Sequence, residues 1–126
     1  MKTLIVVEDD PFLLEDLVFY GEQAGYNVVE IESVARYFDE IEKVKASSLI
    51  LLDLSMDSGG NIELSNNQLV GEVLLQNIRD INEDVPIVVV SAYPERFRKI
   101  KEGVVTKCVN KPVHFEEIER VLREFS

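Results

Sequence analysis

The 126 residues of the chain fit one globular domain, and the expectation is that no separate output domain accompanies it. A hydrophobic share of 46% beside 29% charged residues excludes the low-hydrophobicity regime of disordered chains. Thirteen Lys and Arg against 24 Asp and Glu give a net charge of −11, which repels phosphate backbones and anionic bilayers, so neither nucleic acid nor a membrane is expected as a direct partner.

The first apolar run, residues 4–7, is too short for a signal sequence and meets acidic residues at once, so it reads as a buried strand. Asp10 and Pro11 then supply an N-cap and a proline at the first helical position; Leu14, Leu17 and Val18 with Gly21 form the stripe of a helix, and Gly25 suits its exit. A second strand over 28–31 leads to Ser33, which can cap a helix with Val34, Phe38 and Ile41 on its buried side. The third strand, 49–54, is followed by an irregular stretch at 57–69, DSGGNIELSNNQL, and by a helix carrying Val73, Leu74 and Ile78. A fourth strand at 87–90, a weaker helix at 94–101 with Phe97 and Ile100, a fifth strand at 104–109 and a last helix with Phe115, Ile118, Val121, Leu122 and Phe125 complete the chain. Several strands are apolar at consecutive positions, the pattern of strands buried on both faces of a parallel sheet. Strands alternating with helical segments in this way predict an α/β fold with an open, doubly wound sheet. The single cysteine, Cys108, with neither a signal peptide nor about 18 consecutive apolar residues, points to a reducing aqueous compartment, the cytoplasm.

In a doubly wound sheet the functional crevice lies outside the carboxyl ends of the strands. Here the first strand ends in Glu8, Asp9 and Asp10, the third carries Asp53 near its end, the fourth ends in Ser91, and the fifth runs into Lys111 and Pro112. Taken singly, these are solvated strand-end groups, and Asp10 is accounted for as a helix cap. Taken together they are a site. Carboxylates a few ångströms apart repel and raise one another's pKa, so they need a cation to stay charged. An oxygen-only set with room for water suits Mg²⁺.

These residues carry a resemblance that extends over essentially the whole chain: it is similar to the receiver domain of two-component response regulators. The motifs are IVVEDDP with the acid pair Glu8 and Asp9, LILLDL with Asp53, VVVSA with Ser91, and VNKP with Lys111. The resemblance implies a flavodoxin-like strand order, 2-1-3-4-5, and a cis peptide bond between Lys111 and Pro112. It implies that Asp53 accepts a phosphoryl group from a sensor histidine kinase or phosphotransfer protein. Glu8, Asp9, Asp53 and the backbone carbonyl of Ser55 would hold Mg²⁺, Lys111 would neutralise charge, and Ser91 would hydrogen-bond the phosphoryl group and draw the following loop inward. The chain is then a stand-alone receiver and not an enzyme in the ordinary sense. It would signal to a downstream protein through the face made by the 94–101 segment, the fifth strand and the last helix, or through a phosphorylation-dependent homodimer.

Three departures from the family pattern bear on output. The usual Met-Pro after the phosphoacceptor is Met56-Asp57, followed by an inserted loop at 57–69 before Gly71 and Glu72; Cys108 stands where the family has an aromatic switch residue; and the stretch from Ser91 to Lys111 is a little short. These keep open an alternative function, a pseudo-receiver scaffold working without phosphate. An aspartate-dependent phosphatase of the haloacid dehalogenase class would need a second carboxylate where Ser55 stands, and a flavin mononucleotide carrier would need a Ser/Thr/Gly loop where the chain has EDDP. The basic run Arg96, Arg98, Lys99 and Lys101 reads as a solvated helix face or a docking patch for an acidic partner.

Overall fold

The computed structural model describes residues 1–60, 62–65, 67–93, 100 and 103–126. Five parallel strands, β1 (Thr3–Val7), β2 (Asn27–Ile31), β3 (Leu49–Asp53), β4 (Ile87–Ser91) and β5 (Lys107–Asn110), form a sheet of order β2-β1-β3-β4-β5. The helices are α1 (Pro11–Gln23), α2 (Val34–Asp39), α3 (Ile41–Lys45), α4 (Val70–Ile81) and α5 (Phe115–Glu124). The expected helix at 94–101, with its basic run, lies outside the described residues except for Ile100.

Side chains alternate across a strand, so the run-on apolar sequences feed two cores. Leu4, Val6, Leu49, Leu51, Val88 and Val90 face α1 and α5, meeting Leu14, Leu17, Ile118, Val121 and Leu122. Ile5, Val7, Ile50, Leu52, Ile87 and Val89 face the opposite way, against Tyr37, Val44, Leu74 and Ile78 of α2, α3 and α4. Every residue of β3 and β4 is buried. Covering both faces leaves the carboxyl ends of the strands as the open edge where polar groups collect.

The local signals at α1 act as expected. Asp10 accepts the N–H groups of Phe12 and Leu13 at 3.0 and 3.4 Å, Pro11 needs no donor at the first position, and Gly25 turns the chain at φ +93°. Ser33 likewise caps α2, accepting Arg36 N–H at 3.1 Å.

Three expectations are corrected. The single second helix is two short ones, because the backbone leaves the helical basin at Glu40 (φ −101°, ψ 17°). The buried stripe changes phase there: Tyr37 is fully buried, its hydroxyl donating to Asn77 Oδ1 at 2.7 Å, while Phe38 is 44% exposed. The fifth strand starts at Lys107 and not at 104, since the Val104 carbonyl is taken by the Arg79 guanidinium at 2.8 Å and Gly103 turns at φ +86° just before. Phe115 is 54% exposed and stacks on Tyr20, whereas the core stripe of α5 begins at Ile118.

Arg79 does more than end a strand early. It also donates to the carbonyls of Asn82, Glu83 and Val85 at 3.3, 3.2 and 2.7 Å, tying the exit of α4 to the entrance of β4. Arg79→Met keeps the volume and removes every donor. Urea unfolding should show a loss of about 2–3 kcal/mol, since several partly buried carbonyls are left without partners. A loss under about 0.5 kcal/mol would show that water replaces the guanidinium at little cost.

Candidate functional site

Parallel strands in register bring their final residues to one edge. Val7 pairs with both Ile31 and Leu52, Asp53 stands opposite Val90, and Ser91 opposite Asn110. Glu8, directly after β1, is 1% exposed and Asp53 is 2% exposed, with Asp9 exposed beside them. Oxygens from these three carboxylates lie within 4.8 Å of one another. Asp10 does not join them; it is consumed as the α1 cap.

Each member is held by its neighbours. Asp53 Oδ1 accepts the Ser55 backbone N–H at 3.0 Å and the Ser55 hydroxyl at 3.1 Å, a turn that folds the chain back over its own carboxylate. The Lys111 ammonium reaches Glu8 Oε1 at 3.1 Å and Asp53 Oδ1 at 3.4 Å, so one cation bridges the two buried acids. The Lys111 backbone N–H donates to the Ser91 carbonyl at 2.9 Å, and the peptide bond to Pro112 is cis. Ser91 is fully buried, and its Oγ accepts the Tyr93 N–H at 2.9 Å.

One ammonium against three carboxylates leaves the crevice with a formal excess of two negative charges. Burial, and next the charge of Asp53, push the Glu8 carboxyl up to about 7, although the Asp10 N–H and Lys111 pull the other way. Burial works against the Lys111 ammonium, but Asp53 and Glu8 outweigh it and the net shift is upward. Lys111 therefore stays charged. Glu8 Oε1 is buried and, despite its ion pair, lacks a hydrogen-bond partner. All-oxygen donors, two of them on buried acids, and surplus negative charge fit a hard divalent cation.

A consequence in stability follows. Between pH 4.5 and about 7 the folded chain keeps a proton on Glu8 that the unfolded chain has released. More protons on the native state means that this contribution to stability falls as pH rises through that window. In EDTA, unfolding free energies measured from pH 5 to pH 7.5 should decline for the parent relative to Glu8→Gln. Parallel curves would remove Glu8 as the titrating group.

Two features escaped the sequence reading. The Ser55 side chain, and not its main chain alone, contacts Asp53; a serine two residues after an aspartate is a turn signal that could have suggested it. The backbone of Asp57 contacts Asp9, and a main-chain donor leaves no mark in a sequence. A cavity of about 430 Å³ lies elsewhere, between the free edge of β2 and α2–α3, lined by Asn27, Glu30, Arg36, Glu40 and Lys43, and shares no residue with the acidic crevice.

Fold and site together define an α/β domain with an acidic crevice at the carboxyl edge of a doubly wound sheet. Residues 4–123 match the model of the response regulator receiver domain, and the chain belongs to that family. It is 29% identical over 127 residues to the transcriptional regulatory protein GlrR of Escherichia coli K12, covering 96% of this chain and 26% of that protein. It is 31% identical over 99 residues to the phyllosphere-induced regulator PhyR of Methylorubrum extorquens, covering 75% of this chain and 32% of that one. The chain thus spans about a quarter to a third of the length of these curated relatives. Among solved structures, a signal receiver domain of a two-component histidine kinase from Clostridium thermocellum superposes with a TM-score of 0.78 at 16% identity, covering 98% of this chain and 96% of that one. A Thermotoga maritima response regulator gives 0.76 at 17% identity, with 99% and 97% covered. A Burkholderia pseudomallei response regulator with a phosphorylated aspartic acid, calcium ion and citrate gives 0.68 at 20% identity, with 97% and 66% covered. At these identities the structural likeness shows the fold. No described helix is long and apolar enough to cross a membrane.

Proposed function

We propose that the chain is a cytoplasmic receiver that takes a phosphoryl group onto Asp53 from a histidine kinase or phosphotransfer protein and signals by protein–protein contact. The observation that carries this reading is the Lys111 ammonium bridging Glu8 and Asp53 within a cluster of three acids beside the buried Ser91. Ser55 and Lys111 fix Oδ1 of Asp53, which leaves Oδ2 to attack phosphorus. The new O–P bond forms as the N–P bond to the donor imidazole breaks, and the product is an acyl phosphate. Glu8, Asp9, Asp53 and the Ser55 carbonyl are the residues that would hold Mg²⁺, which when bound neutralises negative charge on the phosphoryl oxygens. Lys111, relieved of part of its pairing with Asp53, is placed to take a phosphoryl oxygen.

Ser91 offers the route outward. Its oxygen accepts the Tyr93 N–H while its own proton remains available to donate, so a phosphoryl group that draws the hydroxyl in draws Tyr93 with it. Tyr93 is 45% exposed, and Cys108 is partly buried against the apolar core, so the moving part is the loop after β4 and not an aromatic on β5. The downstream protein, or a second phosphorylated copy, would meet this change on the face of β5 and α5.

Acetyl phosphate with Mg²⁺ should add the mass of one phosphoryl group, and EDTA should prevent it. An unchanged mass would favour the phosphate-independent scaffold. Equal labelling in EDTA would remove the cation from the reading.

A further inference from the structure

The root of the 57–69 insertion touches the acidic cluster. Asp57 donates its backbone N–H to Asp9 Oδ2 at 3.1 Å. Asp9 is the one exposed acid of the three. Glu8 is held by burial and the Asp10 N–H, and Asp53 by Ser55 and Lys111. Among the described residues Asp9 has no such enclosure, and the Asp57 N–H is what orients its exposed side chain.

Asp57 is itself fixed from both sides. Met56 before it is 3% exposed within the apolar core, and the Asp57 carboxylate folds forward to accept the Gly59 N–H at 2.9 Å. Farther along, Ile62 and Leu69 pack against the same core. The donor thus sits on a pinned backbone, and the insertion is anchored where it leaves the site.

We infer that Asp57, through its backbone N–H, is a positioning residue for the cation site, holding the Asp9 carboxylate where it completes the set with Glu8 and Asp53. This rests on reading those three acids as a divalent-cation site. A carboxylate ordered in advance loses less freedom on ligation, and one N–H occupies one of its roughly four lone-pair sites, leaving the others for the cation. Linkage makes the effect mutual: whatever grips the insertion and shifts Asp57 changes cation affinity by the factor by which the cation changes that grip. The insertion is therefore an input to the site as well as a neighbour of it.

The test uses the full chain and Mg²⁺ alone, by isothermal titration calorimetry. Asp57→Pro has no N–H to give, whereas Asp57→Ala keeps the N–H and loses only the contact with Gly59. Asp57→Pro should raise the Mg²⁺ Kd about three- to tenfold, the range for one ordinary lost hydrogen bond, because solvent around Asp9 screens its charge, while Asp57→Ala stays within about twofold. Thermal midpoints in EDTA should match the parent for both. Amide exchange at Asp57 in the parent should slow in step with Mg²⁺ saturation, and this measurement decides the matter where the proline lowers the midpoint. An unchanged Kd in a folded Asp57→Pro, or exchange indifferent to Mg²⁺, overturns the inference while leaving the cation site standing. A parent chain that takes no Mg²⁺ overturns both.

Discussion

Asp53→Asn is expected to abolish phosphoryl uptake and, in EDTA, to give a protein more stable than the parent. The asparagine oxygen still accepts from the Ser55 N–H and hydroxyl, so the local turn survives. What is lost is a buried negative charge whose repulsion, after burial itself, is the main reason that the Glu8 carboxyl is pushed up to about 7. Lys111 then faces Glu8 at 3.1 Å as one cation to one buried acid. Relief of that repulsion on the order of 1 kcal/mol corresponds to a rise of about 3–5 °C in Tm for a domain of this size. Conversely, the stabilisation expected of saturating Mg²⁺ in the parent, on the order of 1–3 kcal/mol by mass action, should shrink in the variant. Calorimetry with and without Mg²⁺, beside intact mass after acetyl phosphate, checks each limb. Labelling that persists would place the acceptor elsewhere, and a variant less stable than the parent in EDTA would mean that the attraction of Asp53 for Lys111 outweighs its repulsion of Glu8.

Gly71→Ala should strongly destabilise the chain. A Cβ there would sit 2.2 Å from Leu54 Cα and 2.6 Å from the Asp53 carbonyl oxygen. Both are main-chain atoms that cannot swing aside, and the Gly71 N–H also donates to the Leu54 carbonyl at 2.8 Å. The helix must back away from β3, at a cost at or above about 3 kcal/mol, the upper end for overpacking. Because the clash lies against Asp53 and Leu54, Mg²⁺ binding should weaken together with stability. Gly60→Ala is the control: φ is +78° but nothing lies within 4 Å, so only backbone strain of about 1 kcal/mol is expected. Urea unfolding of the two variants should separate them clearly; equal losses would mean that α4 slides freely at its start.

What the sequence could express depended on how many neighbours settled each element. β1, β3 and β4 are read directly from their apolar runs because both of their faces are buried and no alternation competes. α1 is read from Asp10 and Pro11, whose cap is local chemistry. The split of α2 from α3 was hidden, since a stripe of a few residues cannot fix its own phase when the helix breaks at Glu40, and so Phe38 was expected where Tyr37 is buried. β5 pairs on one side only, and its start was decided by Arg79, a residue 25 positions before Val104. In the site, Glu8, Asp9, Asp53 and Lys111 were legible because parallel strands deliver their last residues to one edge. The strand order itself came with the family resemblance and not from periodicity.

The Gly71–Leu54 hydrogen bond closes the chain on itself across residues 54–71, so the intervening excursion is a loop whose ends are fixed by the sheet and not by its own length. Closure entropy grows only with the logarithm of length, and doubling such a loop costs about 0.6 kcal/mol. The Gly59–Gly60 turn is therefore a place where foreign sequence, a recognition peptide or a fluorescent reporter, can be grafted without contesting either core. Asp57 is only two positions from the graft, so such a chimera would couple whatever grips the graft to the backbone that meets Asp9.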